Sequence, residues 1–194
     1  AISTTPTIPL ARVPWNEPGL IMKMLDAGCY GIICPMINNR AQAEAFVAAC
    51  RYPPAGSRSF GPTRAVLYAG ADYVEHANEA VITIAMIETA EALENLDEIL
   101  SVPGLDAIDV GPADLSQHLG GRQRIDLTEP HLVAALDRIV AAARRHGVVA
   151  GIHTAGAEYT HKLIQKGYQF FSVLSDTRLL ASAAQCAIRE IRGR

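Results

Sequence analysis

A chain of 194 residues with 49% hydrophobic and 19% charged residues is long enough for one domain with a substantial core. Its formal net charge of −3 offers no electrostatic footprint for nucleic acid or an anionic membrane surface, and no apolar run reaches the ~20 residues of a membrane span. Ala1 to Pro9 has neither a basic start nor a hydrophobic signal core. The four cysteines (Cys29, Cys34, Cys50 and Cys186) follow no CxxC spacing. The expectation is reduced thiols in a cytoplasmic protein, not a disulfide framework or a zinc site.

The pattern along the chain is strand then helix, repeated. Thr7 to Val13 is rich in strand formers, and Glu17 to Ala27 is helical after the breaks at Pro14 and Pro18. Cys29 to Pro35 reads as a strand. Arg40 to Arg51 reads as a helix with Ala43, Phe46, Val47 and Cys50 on its apolar face. Tyr52-Pro53-Pro54-Ala55-Gly56 interrupts the pattern. A long connection follows, containing Gly61-Pro62 and Gly70, with a helix expected over Asp72 to Asn78. Val81 to Ile87 is a strand, and Ala90 to Leu100 a helix that Thr89 would cap. The apolar run Leu105 to Val110 holds a strand over Ala107 to Val110. Glu129 to His146 is the longest helix, with Pro130 near its start. Val148 to Ile152 is a strand, Ala157 to Lys166 a helix ending at Gly167, Gln169 to Val173 a strand and Thr177 to Ile191 the last helix.

Six strand–helix units of parallel type give either an open sheet or a closed (β/α)8 barrel, since crossovers between parallel strands are right-handed. No GxGxxG or GxxxxGKS loop is present, which weakens an open nucleotide-binding sheet. A closed barrel takes eight units and roughly 250 residues. The expected fold is therefore an α/β TIM barrel of which this chain carries six units, the first two being absent.

Glu88 in Met86-Ile87-Glu88-Thr89 and Asp114 in Gly111-Pro112-Ala113-Asp114-Leu115-Ser116 each follow an apolar strand. Ligands bind at that edge of a parallel α/β sheet. Two carboxylates there suit a divalent cation with oxygen ligands. His153 sits at another strand end, where it either lines the mouth, contacting substrate as the in-chain candidate for a substitute base, or serves as a hydrogen-bonded wall. Asp176 reads as a cap of the last helix. Arg58 and Arg64 flank the long connection, as surface salt bridges or as contacts to an anionic substrate or neighbouring subunit. His76, His118, His131, His146 and His161 are expected to face solvent. A Schiff-base mechanism needs a desolvated lysine at the site, and Lys23, Lys162 and Lys166 all fall in helical stretches.

Four segments in order resemble one family. Leu10-Ala11-Arg12-Val13-Pro14-Trp15-Asn16-Glu17-Pro18 resembles the VRPSWNDP segment of metal-dependent pyruvate aldolases of the HpcH/HpaI, or 4-hydroxy-2-oxoheptanedioate aldolase, type. Arg51-Tyr52-Pro53-Pro54-Ala55-Gly56-Ser57-Arg58 is similar to its RYPPxGxR signature. Met86-Ile87-Glu88-Thr89 is similar to its QIET, and Gly111 to Ser116 to its GPADLS.

The resemblance implies a pyruvate/phosphoenolpyruvate-type TIM barrel assembled as a homo-oligomer, a hexamer or trimer. It implies Glu88 and Asp114 as protein ligands of Mg²⁺, Mn²⁺ or Co²⁺. The backbone at Ala113 and Asp114 would hold the pyruvate carboxylate, and Arg12 would stabilise the enolate oxygen. Asp26 would match the family aspartate that raises the basicity of the catalytic histidine. The implied reaction is reversible retro-aldol cleavage of a 4-hydroxy-2-oxo acid to pyruvate and an aldehyde through a metal-bound enolate.

This chain departs from the family in two places. Met86 stands where the family has Gln, and a thioether cannot donate a hydrogen bond to substrate. The DxEH motif that carries the family's catalytic histidine is absent from these residues. A binding-only chain and an oxaloacetate decarboxylase using the same enolate remain the alternatives.

Overall fold

The computed structural model describes residues 2–193. Six strands form one parallel sheet in the order β1 (Leu10–Arg12), β2 (Gly31–Cys34), β3 (Ile82–Ile87), β4 (Ala107–Val110), β5 (Val149–Thr154) and β6 (Phe170–Val173). The sheet is strongly curled but open, a half-barrel with β1 and β6 at its edges. Every strand pairs with its sequence neighbour, as single β/α repeats with right-handed crossovers require.

The helices begin and end on local chemistry. In α1 (Pro18–Asp26), Pro18 takes the first helical position and the Glu17 carboxylate accepts from the amides of Gly19 and Leu20. Asn39 caps α2 (Arg40–Cys50) by accepting from the Gln42 amide. The long α8 (Pro130–His146) starts at a proline and stops at Gly147, whose φ of 70° is the left-handed end that glycine permits.

Three stretches differ from the sequence expectation. The connection before β3 contains α3 (Thr63–Ala69) as well as α4 (Tyr73–Ala80). The helix expected over Ala90 to Leu100 is two, α5 (Ala90–Glu94) and α6 (Leu96–Leu100). They part at Asn95, whose side-chain amide donates to the Asn38 carbonyl at 2.9 Å and so ties the joint to the β2–α2 loop. Gly111-Pro112 opens a further short helix, α7 (Pro112–His118).

Alternation along the strands separates two faces. Ile32, Ala85, Ile87, Ile108, Val110, Ala150 and Ile152 point outward and join one core with Leu25, Phe46, Leu96, Leu136 and Ile139 of the covering helices. The opposite, concave face carries Arg12, Met86, Asp109, His153 and Ser172, so most of the chemistry lies inside the curl. The last two helices are α9 (Ala157–Lys166) and α10 (Asp176–Arg192). No residue of α10 is buried, and it exposes Leu179, Leu180, Ile188 and Ile191. Among the described residues no helix is long and apolar enough to cross a membrane, and all four cysteines are free.

Candidate active site

The strand register fixes two rows on the concave face. Met86 pairs with Asp109, and Asp109 with Gly151. Further along the strands, Glu88, Gly111 and His153 fall at a common level, and His153 pairs with Ser172. Glu88 therefore stands at the carboxyl end of the sheet, with Asp109 diagonally beneath it on the next strand. Gly111 is glycine by necessity, because a Cβ there would run into Glu88 Oε2. Gly151, in the lower row, is constrained in the same way, since a Cβ would stand 2.6 Å from Phe170 and 3.2 Å from Asp109 Oδ1.

Glu88 is buried, at 1% exposure. Its Oε1 accepts from the Met36 amide at 2.8 Å. Met36 adopts φ 57° just past β2, a left-handed conformation that a side chain disfavours and that recurs at functional loops. The surrounding loop is pinned by Thr89, whose hydroxyl donates to Asn38 Oδ1 at 2.5 Å while accepting from the Ala92 amide. Oε2 of Glu88 has no hydrogen-bond partner, and an unpaired buried polar atom costs about 1–3 kcal/mol. Burial raises the Glu88 pKa above the ordinary carboxylate value. The Met36 amide opposes that shift, the charge of Asp114 adds to it, and Arg12 opposes it again.

Asp109 repeats the pattern. It is 4% exposed and its Oδ1 is unpartnered. Burial, helped by Glu88 and opposed by Arg12, pushes its pKa up to about 7. Sequence reading passed over this residue. Its signal was a lone acid inside the apolar run Ala107-Ile108-Asp109-Val110, at a position that alternation assigns to the concave face.

Arg12 ends β1 and reaches Met86, its Nε lying 3.4 Å from the thioether sulfur. Met86 is thus a wall of the site and a weak acceptor for the arginine. Asp114 and Ala113 occupy the first turn of α7, whose opening amides have no acceptor inside the helix. Asp114 is exposed, yet close enough for its charge to act on Glu88. His153 Nδ1 bonds Ser172 Oγ at 2.9 Å, which leaves Nε2 as the ring nitrogen free of that bond. Burial and the charge of Arg178 lower its pKa, against the bond to Ser172. The neutral imidazole is therefore favoured, the form that accepts a proton.

Asp26 does not join this group within the chain. It ends α1 near the amino end of the sheet, where its Oδ1 accepts from Arg58 Nη2 at 2.8 Å. Arg58 is itself buried there instead of standing on the surface, with Nη1 donating to the Tyr73 hydroxyl and its guanidinium over the Tyr52 ring. The other five histidines are exposed as expected, and His146 pairs with Asp97.

The donor set suits a hard divalent cation. Glu88 and Asp114 supply oxygens of like charge, the orphaned Oε2 lacks a counterpart, and Gly111 clears the space beside it. Among the described residues no group of three or more His, Cys, Asp or Glu is placed to hold a metal ion.

Comparison with known proteins bears on what such a site does. The chain is 41% identical over 184 residues to a hydroxypyruvate/pyruvate aldolase of Rhizorhabdus wittichii, covering 95% of this chain and 73% of the relative. It is 37% identical over 188 residues to a 4-hydroxy-2-oxo-heptane-1,7-dioate aldolase of Klebsiella pneumoniae, covering 95% and 70%. The crystal structure of an HpcH/HpaI aldolase/citrate lyase family protein from Burkholderia cenocepacia superposes with a TM-score of 0.89 at 31% identity, covering 97% of this chain and 75% of that one. The sequence profile of HpcH/HpaI aldolase/citrate lyase matches residues 1–183. With a family profile across nearly its whole length and a relative at this identity, the chain belongs to the HpcH/HpaI aldolase/citrate lyase family, whose members are carbon–carbon lyases and aldolases.

Proposed function

We propose that this protein is a divalent-metal-dependent pyruvate aldolase, cleaving a 4-hydroxy-2-oxo acid reversibly to pyruvate and an aldehyde. The observation that carries this reading is the buried Glu88, with one oxygen fixed by Met36 and the other unpaired beside Gly111, where the charge of Asp114 acts on it. Mg²⁺, Mn²⁺ or Co²⁺ held by Glu88 and Asp114 would act as a Lewis acid on the oxo acid.

The remaining work falls to the chain. The opening amides of α7 at Ala113 and Asp114 hold the substrate carboxylate. Arg12 places a permanent positive charge where the ketone oxygen gains negative charge. Met86 sets Arg12 through its sulfur and forms an apolar wall that excludes water. His153, neutral and anchored by Ser172, accepts the methyl proton of pyruvate at Nε2 as the enolate forms, and returns a proton in the cleavage direction. Asp26 keeps a structural role, since its carboxylate is engaged by Arg58. The exposed apolar face of α10 suits assembly into a trimer or hexamer, and the free thiols suit the cytoplasm.

Hydrogen–deuterium exchange at the pyruvate methyl group, followed by NMR in D₂O, tests enolisation without any choice of aldehyde. Exchange with Mg²⁺ or Mn²⁺ that stops on adding chelator is the expected result. Absence of exchange in the metal-loaded protein sinks the reading.

A further inference from the structure

The reaction as described leaves unused a cavity of about 970 Å³ between α8 and α9. It lies on the outer, helical side of the sheet at the amino end, where β5 and β6 begin, away from the carboxyl edge that holds Glu88 and Asp114. Val140 and Ala141 of α8 line one wall, and Val148 and Ala150 at the start of β5 line the floor. Ala141 and Gly167 are small where longer side chains would close the gap between the two helices. The Lys166 ammonium donates to the Asp137 carboxylate at 2.5 Å and so ties the two walls together. An apolar bed of this size with a few polar groups at its rim is the usual form of a small-molecule site.

The rim carries positive charge that the fold does not use up. Arg145 and His146 share Asp97, each at 2.9 Å, and Lys166 has Asp137. Of the cations lining the cavity, Arg144 is left over, with no acceptor for its guanidinium among the described residues. The side-chain amides of Gln165 and Gln169 line the same rim, also unbonded among the described residues. Basic residues near a helix end ordinarily answer its dipole, but the last carbonyls of α8 and α9 are already taken up by the amides of Gly147, Val148, Gly167 and Tyr168. A planar guanidinium matches the paired oxygens of a carboxylate or phosphate. A bare inorganic ion would meet the rim and leave the apolar bed uncovered, whereas a hydrocarbon would cover the bed and leave Arg144 unanswered.

We propose that the cavity between α8 and α9 is a second binding site, taking a small organic oxyanion whose carboxylate or phosphate is held by Arg144, with Gln165 and Gln169 beside it, while its apolar body lies on Val140, Ala141, Val148 and Ala150. The site stands apart from the carboxyl edge and does not depend on the enolate reading. Arg144 supplies the orientation and the apolar bed supplies contact area, the division of labour common to such pockets.

The test is calorimetric titration of the Mg²⁺-loaded protein with phenyl phosphate, benzoate and inorganic phosphate, each with and without pyruvate. Phenyl phosphate and benzoate set the two head groups on one ring, and inorganic phosphate offers the head group alone. A single site per chain is expected for the ring compounds, the tighter of the two naming the head group, with inorganic phosphate weaker by about tenfold for want of the buried ring. Pyruvate should leave these affinities unchanged. Arg144→Gln should weaken ring-compound binding about tenfold or more. Ala141→Trp, which fills the cavity from an exposed helix position, should abolish it, both variants keeping the wild-type melting midpoint. Failure of both ring compounds to bind the wild-type protein overturns the proposal. So does binding that survives both substitutions, or binding that pyruvate displaces. None of these results bears on the enolate reading, which metal-dependent exchange of the pyruvate methyl group decides separately.

Discussion

Buried charge sits at both ends of this sheet, and the two ends treat it in opposite ways. At the amino end, Arg58 is enclosed by partners. Asp26 accepts from one guanidinium nitrogen at 2.8 Å, the Tyr73 hydroxyl lies 3.0 Å from another, and the rings of Tyr52 and Tyr73 cover the cation at 4.4 and 5.6 Å. Only Nε goes without an acceptor. Burial would push this guanidinium pKa down, but the bonds to Asp26 and Tyr73 outweigh it and hold it up. At the carboxyl end, Glu88 and Asp109 each keep an oxygen with no partner, and burial drives both pKa values up. At the amino end the buried cation has a carboxylate partner in the fold, although Arg58 Nε, Arg51 Nη1 and the Tyr52 hydroxyl go unpaired; at the carboxyl end Glu88 and Asp109 have no cation bonded to them, which is how a binding site differs from a structural ion pair.

The sharpest way to break this contrast is to neutralise one charge at each end. Glu88→Gln keeps shape and removes charge from the proposed metal site. Metal affinity by titration should fall by two orders of magnitude or more, on the order of 3 kcal/mol, while the urea midpoint holds or rises. Arg58→Met should do the reverse. Removing one partner of a buried pair leaves the other uncompensated, so a stability loss of about 3–5 kcal/mol is expected, with metal affinity retained in the folded fraction. If Arg58→Met abolished metal binding while unfolding at the wild-type midpoint, the assignment of the amino end to stability would be wrong. Asp26→Asn separates its two readings. A structural Asp26 moves the melting midpoint, whereas one acting on a catalytic histidine moves the pH profile of pyruvate exchange.

Legibility in the sequence followed the same division. The strand–helix order was readable because parallel strands buried on both faces are short apolar runs between helical periods. The placement of Glu88 and Asp114 past the ends of β3 and β4 was readable because each follows such a run. The break at Asn95 was not, since it depends on a bond to Asn38 that is distant in sequence. Nor was Arg58, which flanks a loop and reads as a surface cation until Tyr52, Tyr73 and Asp26 are folded around it. Asp109 escaped because its meaning comes from the register with Met86 and Gly151, and register is a property of the sheet, not of the strand.

Asp109 offers a smaller and pH-dependent version of the comparison. Its folded pKa of about 7 lies above the unfolded aspartate value of roughly 3.9. Below about pH 4 both states hold the proton and the group is neutral toward stability. As pH rises toward 7 the unfolded chain releases the proton while the folded protein retains it, so stability falls through that window and stays low above it. Asp109→Asn cannot ionise and should escape the loss. Urea unfolding in chelator should find the variant more stable than wild type by about 1–3 kcal/mol at pH 8, and nearly equal to it at pH 4. A constant offset between the two pH values would show that Asp109 is not the titrating group.

Met86 carries the smallest effect and tests how the two orphaned oxygens are linked to Arg12. Its sulfur is the acceptor that holds Arg12 Nε, at 3.4 Å, and sulfur is a weak one. Met86→Gln has similar length, offers the arginine an amide oxygen, and adds an N–H₂ donor toward Glu88, Asp109 or a bound oxo acid. Arg12 would then be held more firmly where negative charge develops, and the rate of metal-dependent pyruvate exchange should rise about two- to fivefold with metal affinity little changed. A fall in rate would mean that the apolar wall matters more than the anchoring of Arg12. Met86 would then be keeping water away from two carboxyl groups whose unpaired oxygens are the point of the site.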